Sequence, residues 1–361
     1  VNLIGEHIDY NGGNVLPASI DKKIFLYFKK NLKNSICKVN STHYNEIITF
    51  ELNEEKKELN SNWKNYIFGV IHYLKKLKGD QLNGFECIID SNLPLGSGIS
   101  SSSALICGLI KGLNELYKLQ ISNHEMINIS QKVEHNFIGV KGGIMDQFAI
   151  FFGKKDKIIL LNCNSLNLKM IDSKFSPYKF LLLNTNVNHN LSSSDYNKRV
   201  KECKSALKKI KSIKKKLSCL ANVSDDFIIK NEPLFTKNEF KRALYVSQEN
   251  QRVLKSTKFI KASNLVEFGK LMYNSHEGLK NLYEVSCKEL DFLVDHSKKY
   301  NYVLGSRMMG GGFGGCTINL IKEDHVQSYI EIVSKKYLNK FQKTLTPIEI
   351  SIENGINTIK K

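Results

Sequence analysis

A loop rich in serine and glycine joins a β-favouring run to an apolar stretch at helical spacing: Leu93-Pro94-Leu95-Gly96-Ser97-Gly98-Ile99-Ser100-Ser101-Ser102-Ser103-Ala104. Glycine lets a backbone come close to a ligand. The first N–H groups of a helix lack intrahelical partners and carry partial positive charge, so a phosphate chain fits against them. Serine hydroxyls can add hydrogen bonds or a ligand to Mg²⁺. No Gly-Lys-Ser/Thr follows, so this is not a Walker A loop. On its own the segment reads equally as an ordinary cap or turn.

The surrounding pattern sets the fold class. Residues 46–52, 84–90, 157–162 and 179–184 read as strands, and strands are expected within 13–28 (VLPASI, then IFLYF). Trp63, Tyr66, Ile67, Val70, Ile71 and Leu74 recur at helical spacing and predict a helix over 63–77. Further helices are predicted over 101–118, over 122–140 with Ser122 as N-cap, and over 197–217 with Val200, Cys203, Leu207, Ile210, Ile213 and Leu217 inward. Alternating strands and helices argue for a mixed α/β class. A length of 361 residues suggests about two domains.

The formal net charge is +18, from 53 Lys+Arg against 35 Asp+Glu, which invites a nucleic-acid reading. Only Arg199, Arg242, Arg252 and Arg307 are arginine, however, and nucleic-acid readers lean on arginine for bidentate contacts. The lysines read as a solvated surface, so no nucleic-acid partner is expected. No run of about 18 uncharged apolar residues occurs, so no membrane span is expected. No signal-peptide pattern is present either, and a cytoplasmic protein is expected. The cysteines, with no Cys-x-x-Cys pair among them, read as buried free thiols.

Three more segments carry chemistry. Val1-Asn2-Leu3-Ile4-Gly5-Glu6-His7-Ile8-Asp9-Tyr10-Asn11-Gly12-Gly13 crowds Glu6, His7 and Asp9 between an apolar strand and a glycine turn. That suits a polyol, whose hydroxyls each need a donor and an acceptor; a solvated loop is the alternative. Gly142-Gly143-Ile144-Met145-Asp146-Gln147 places a carboxylate between a turn and an apolar run, where it can accept a proton or orient a hydroxyl, or simply cap a helix. Glu134, on the helix before it, could reach a Mg²⁺ near the serine loop. Gly305-Ser306-Arg307-Met308-Met309-Gly310-Gly311-Gly312-Phe313-Gly314-Gly315-Cys316 makes a tight turn that either closes over a ligand or bends between strands.

Taken in order, these segments resemble the motifs of the galactokinase branch of the GHMP kinase family: its amino-terminal signature, its phosphate loop, its catalytic segment and its carboxy-terminal glycine motif. Residues 184–196 also resemble a sugar-site segment of that family. The resemblance implies an α+β fold of two domains, 1–176 and 177–361, with the active site in the cleft between them. It implies sugar contacts from Glu6, His7, Asp9, Gly143 and Tyr196, and a catalytic Asp146 beside the 1-hydroxyl of galactose. It implies an ATP cradle of Gly96, Ser97, Gly98, Ile99, Ser100, Ser101, Ser102 and Ser103, with Trp63 at the adenine and Mg²⁺ on Ser102 and Glu134. From the residues alone, Trp63 is more simply a core residue.

The implied reaction is ATP-dependent phosphorylation of galactose, the entry step of its catabolism, by a monomer or weak oligomer. The alternatives are a kinase for N-acetylgalactosamine or a pentose, and a catalytically silent sugar sensor. Three departures stand out. Ile8 replaces the threonine of many relatives, Asn188 replaces a basic residue of some, and the arginine that precedes Val-Asn-Leu-Ile in the family lies one residue outside this sequence. That arginine favours the ionised aspartate, so a chain without it is expected to be slow or poorly folded.

Overall fold

The computed structural model describes residues 1–31, 34–54, 63–94, 98–187 and 193–359. In chain order the elements are β1 (Asn14–Val15), β2 (Ile24–Lys30), β3 (Ile36–Ser41), β4 (Glu46–Glu51), α1 (Lys64–Lys78), β5 (Phe85–Ser91), α2 (Ser101–Tyr117), α3 (Asn123–Val133), α4 (Met145–Phe152), β6 (Lys157–Asn162), β7 (Leu168–Asp172) and β8 (Tyr178–Asn184). Then come α5 (Ser193–Ile213), α6 (Asp225–Lys230), α7 (Lys237–Lys261), α8 (Leu265–Gly278), α9 (Lys288–Ser297), β9 (Val303–Met308), β10 (Cys316–Lys322), α10 (Val326–Phe341) and β11 (Thr346–Ile350). The architecture is mixed α+β. No helix among the described residues is long and apolar enough to cross a membrane.

The chain forms two compact units, each drawn from several stretches. One gathers Val1–Asp21, Gly96–Ile99 and Gly153–Glu353; the other gathers Lys22–Leu95, Ser100–Phe152 and Asn354–Lys361. The division at 176/177 read from sequence is a single cut, whereas these units interleave along the chain.

In the second unit a sheet of order β2-β5-β3-β4 carries one parallel pair, β3 with β5. Helix α2 lies against β2 because two of its residues have no side chain. A Cβ on Gly108 would meet Leu26 at 2.6 Å, and one on Gly112 would meet the Phe28 ring at 2.0 Å. This contact fixes the direction of α2 and so the place of its serine-rich start. Helix α3 begins as read, with Ser122 and Glu125 forming a capping box. It passes into a single π-turn, Glu134–Ile138, instead of running on to residue 140.

In the first unit β11-β8-β10-β9 form an antiparallel sheet. It shares a core with α9 and α10 through Leu181, Leu183, Leu293, Val303, Tyr329, Val333 and Tyr337. The same unit holds a small sheet, β1-β6-β7. Within VLPASI only Val15 lies in a strand, because Pro17 has no N–H to donate and joins Asn2 through an isolated bridge. Helix α5 stops at Ile213, so Leu217 falls outside it, and Ile213 is 54% exposed rather than inward. The cysteines in the described residues are all free, and most are buried.

Candidate active site

The first unit gathers the sugar-type residues. Leu3 and Leu16 pair through their backbones (2.9 Å), and Leu16 N–H also reaches the Ile4 carbonyl (3.2 Å). This tie leaves residues 5–13 as a loop. Gly5 sits at φ +107° against Val253 and β1, so only glycine fits there. His7 follows at φ +62°, a conformation rare for a residue with a Cβ. Such strain persists where the surroundings over-determine it, and it concentrates at binding sites.

Glu6 is 3% exposed, and one carboxylate oxygen accepts from the Gly310 amide (2.9 Å) and from both terminal nitrogens of Arg307 (3.3 Å each). Arg307 is wholly buried on β9. It also donates to the carbonyls of Leu3 (2.8 Å), Met308 (2.6 Å) and Asn2. One guanidinium therefore joins the amino-terminal segment at Asn2 and Leu3, the Glu6 carboxylate and the start of the glycine turn. Sequence reading has Arg307 among the four arginines and inside the glycine motif but gives it no role; its partner lies 301 positions away, beyond any local signal.

The glycine turn is a device for close approach. Gly312 and Gly314 lie at φ +82° and +146°, and a Cβ on them would sit 2.2 Å from the Val285 carbonyl and 2.4 Å from that of Val187. A Cβ on Gly310 would lie 3.0 Å from the Gly98 carbonyl, so the turn packs against the end of the serine loop. His7 Nε2 lies 3.2 Å from the Gly311 carbonyl, and its Nδ1 lies 2.8 Å from the Tyr10 hydroxyl. Tyr196, on α5, lies tilted against His7 at 5.3 Å and meets Tyr10 edge-on at 5.6 Å. Asp9 opens a short 3₁₀ turn, Asp9–Asn11, and is partly exposed. Asn188 and most of the 184–196 segment's centre lie outside the described residues.

Burial, with Arg199 nearby as a second cause, pulls the His7 pKa down to about 3, while the bond to Gly311 opposes the shift. His7 is therefore neutral in the folded protein at working pH. Below about pH 6.5 the unfolded chain takes up a proton that the folded chain refuses, so stability falls from there down to about pH 3. Lowering the pH from 7 to 5 should cost about 2 kcal/mol through this residue alone. Urea unfolding at the two pH values should show that loss shrinking in His7→Gln; an equal loss in both chains would remove the assignment.

The second unit holds the other half of the predicted residues. Ser100 caps α2 in the left-handed region (φ +58°) and makes no side-chain cap bond, and no acid occupies the first turn. The start of this long helix is thus shaped for an anion. Ser101 and Ser102 are partly exposed, and Ser103 is buried. Leu95, Gly96 and Ser97 lie outside the described residues; Gly98 and Ile99 belong to the first unit. Glu134 is 9% exposed and accepts from Ser103 Oγ (2.5 Å) and Gln147 Nε2 (2.9 Å). Ser103, rather than Ser102, is thus the serine bonded to it. Gln147 follows Asp146, which lies partly exposed in the first turn of α4. The loop holding Gly143 is tied down by His135 Nε2 on the Gly142 carbonyl (2.8 Å).

Trp63 stands apart from these serines in its bonding. Its Nε1–H donates to Glu46 (3.0 Å), and its ring stacks on Tyr44 at 5.5 Å and 11°. No group of three or more His, Cys, Asp or Glu among the described residues is placed to hold a metal by itself. A hard-oxygen carboxylate fixed by a serine and an amide, next to further serine hydroxyls, does fit Mg²⁺, which commonly uses one or two carboxylates together with substrate phosphates.

Comparison with known proteins bears on both halves. The profile described as the galactokinase galactose-binding signature matches residues 1–30; GHMP kinases N terminal domain matches 65–154, and GHMP kinases C terminal matches 256–339. A curated galactokinase from Clostridium acetobutylicum is 38% identical over 99% of this chain and 92% of its own length. The chain belongs to the galactokinase family. A second galactokinase, from Thermosipho africanus, is 37% identical over 100% of this chain and 98% of its own. The crystal structure of Lactococcus lactis galactokinase complexed with galactose superimposes with a TM-score of 0.93, at 36% identity over 98% of this chain and 92% of that one. Methanococcus jannaschii mevalonate kinase, at 22% identity and TM-score 0.69 over 98% of this chain and 96% of that one, shares the fold. The galactokinase signature spans Glu6, His7 and Asp9, and the N-terminal kinase profile spans Ser100–Ser103, Glu134 and Asp146.

Proposed function

We propose that this chain transfers the γ-phosphate of ATP to the 1-hydroxyl of D-galactose, the entry step of galactose catabolism. The observation that carries this reading is the Glu6–His7–Asp9 loop, held by Arg307 and the glycine turn within the galactose-binding signature. Glu6, His7, Asp9 and Tyr196, with Gly143, hold the sugar hydroxyls. The loop from Gly96 to Ser103 cradles the triphosphate, and Trp63 faces the adenine. When bound on Ser102 and Glu134, Mg²⁺ neutralises phosphate charge; Ser103 and Gln147 keep the Glu134 carboxylate turned for it.

The 1-hydroxyl oxygen forms a bond to the γ-phosphorus as the bond to the β,γ-bridging oxygen breaks, and ADP leaves. Asp146 orients that hydroxyl and takes its proton. Phosphoryl transfer asks mainly for positioning and charge neutralisation, and fixed groups such as the Glu6 clamp supply the first. The protein is proposed to work in the cytoplasm as a monomer or weak oligomer.

ADP release with Mg-ATP should be measured with D-galactose, N-acetylgalactosamine, glucose and arabinose in parallel. Turnover confined to galactose is expected. Turnover only with another sugar would reassign the substrate. Galactose binding without turnover would move the function to a sugar sensor.

A further inference from the structure

Beneath His7 runs a chain of polar atoms, partly exposed at Tyr10 and buried beyond it, that the reaction above does not use. The Tyr10 hydroxyl lies 2.8 Å from His7 Nδ1 and 2.8 Å from the Tyr283 hydroxyl, and the Tyr283 hydroxyl lies 3.1 Å from the Cys203 thiol. Tyr283 and Cys203 are 0% and 1% exposed, and Tyr245 closes the cluster with its ring 4.6 Å from that of Tyr283. Arg199 fixes the backbone here by donating to the carbonyls of Tyr283 (2.8 Å) and Glu284 (2.7 Å).

The chain has only one consistent direction. A carbonyl oxygen can only accept, so His7 Nε2 carries a proton and donates to Gly311. His7 is neutral, and a neutral imidazole has one N–H, so Nδ1 accepts. The Tyr10 hydroxyl must therefore donate to Nδ1. Its oxygen then accepts from Tyr283, and the Tyr283 oxygen accepts from Cys203.

We propose that Tyr10, Tyr283 and Cys203 are positioning residues for sugar binding, forming a one-way hydrogen-bond chain that fixes which nitrogen of His7 donates. The consequence is specific. A sugar hydroxyl arriving beside the glycine turn meets the remaining lone pair of the Gly311 carbonyl, and it can take the Nε2–H only by sharing or displacing the bond that hydrogen makes to the same carbonyl, so the donor and the acceptor it meets are both fixed in place. This rests on the reading that His7 meets the sugar.

The test uses the full chain labelled with ¹⁵N-histidine, with His7→Gln assigning the His7 resonances. In the unsubstituted chain Nε2 should be protonated, and Nδ1 should resonate as a hydrogen-bonded imine. Tyr10→Phe should move Nδ1 to the position of an unbonded imine. It should also raise the galactose KM and Kd about tenfold, the scale of one lost buried hydrogen bond, with kcat and the ATP KM unchanged. Tyr283→Phe should act in the same direction more weakly, and it carries the same measurement if Tyr10→Phe does not fold. A protonated Nδ1 in the unsubstituted chain, or an Nδ1 resonance indifferent to both substitutions, would overturn the proposal. So would lower thermal stability with galactose KM unchanged, since that marks packing alone. If the unsubstituted chain binds no galactose, the functional reading fails, while the nitrogen resonances still decide whether the chain exists.

Discussion

Asp146→Ala is expected to lower turnover ~100-fold or more while leaving galactose and ATP binding in place, the loss being on the scale of a general base. Asp146 sits in the first turn of α4 and is partly exposed, so its removal opens no core cavity. The loss of a carboxylate near a helix start costs only about 0.3–1 kcal/mol of stability. The neighbouring Gln147 stays on Glu134, so the site proposed for Mg²⁺ keeps its shape. An effect on kcat alone therefore reports the missing proton acceptor. Steady-state kinetics and calorimetric titration with galactose check both halves. Near-normal turnover in Asp146→Ala would sink the base assignment, and lost galactose binding would make Asp146 a binding group instead.

The second large effect is expected at Arg307, and it falls on folding and sugar binding together. Its guanidinium meets three backbone carbonyls and the Glu6 carboxylate with no exposure to water. Arg307→Met keeps the stem and removes the charge. Glu6 is then left buried with the Gly310 amide as the remaining donor described on that oxygen, and breaking a buried pair from one side costs about 3–5 kcal/mol. Arg307→Lys should recover only part of this, because a compact ammonium cannot span the same acceptors. Urea unfolding should show the loss, and calorimetry should show galactose binding weakened beyond detection in Arg307→Met. Stability within about 1 kcal/mol of the unsubstituted chain would mean that the clamp does not hold the loop.

The candidate site was legible where its residues are neighbours in sequence. Glu6, His7 and Asp9 lie within four positions, and the serine loop is one continuous stretch, so residue type and spacing were enough to name them. The legible helices were those with a strong apolar period or a cap, such as α1 and α3. Helices α4 and α6 to α10 and strands β3, β7 and β11 were among the elements not read; β3, with exposed Lys38 amid buried neighbours, gains its place from its partners β4 and β5. The end of α5 was misread because the apolar spacing continues through Ile213 to Leu217 after the core has ended.

The sequence by itself determined a mixture of helices and strands, the strand–loop–helix around the serines, the Ser122 cap and the glycine turn, because these follow from preferences that act over a few residues; the α+β arrangement came from the family resemblance. Only the tertiary structure decided that Arg307 grips Glu6, that Ser103 rather than Ser102 bonds Glu134, that Trp63 stacks on Tyr44, and that Cys203, Tyr283 and Tyr10 line up behind His7. Each of those pairings except His7–Tyr10 joins residues more than a helical turn apart in sequence. They depend on burial, since a charge or hydroxyl withdrawn from water must find a partner wherever the fold brings one.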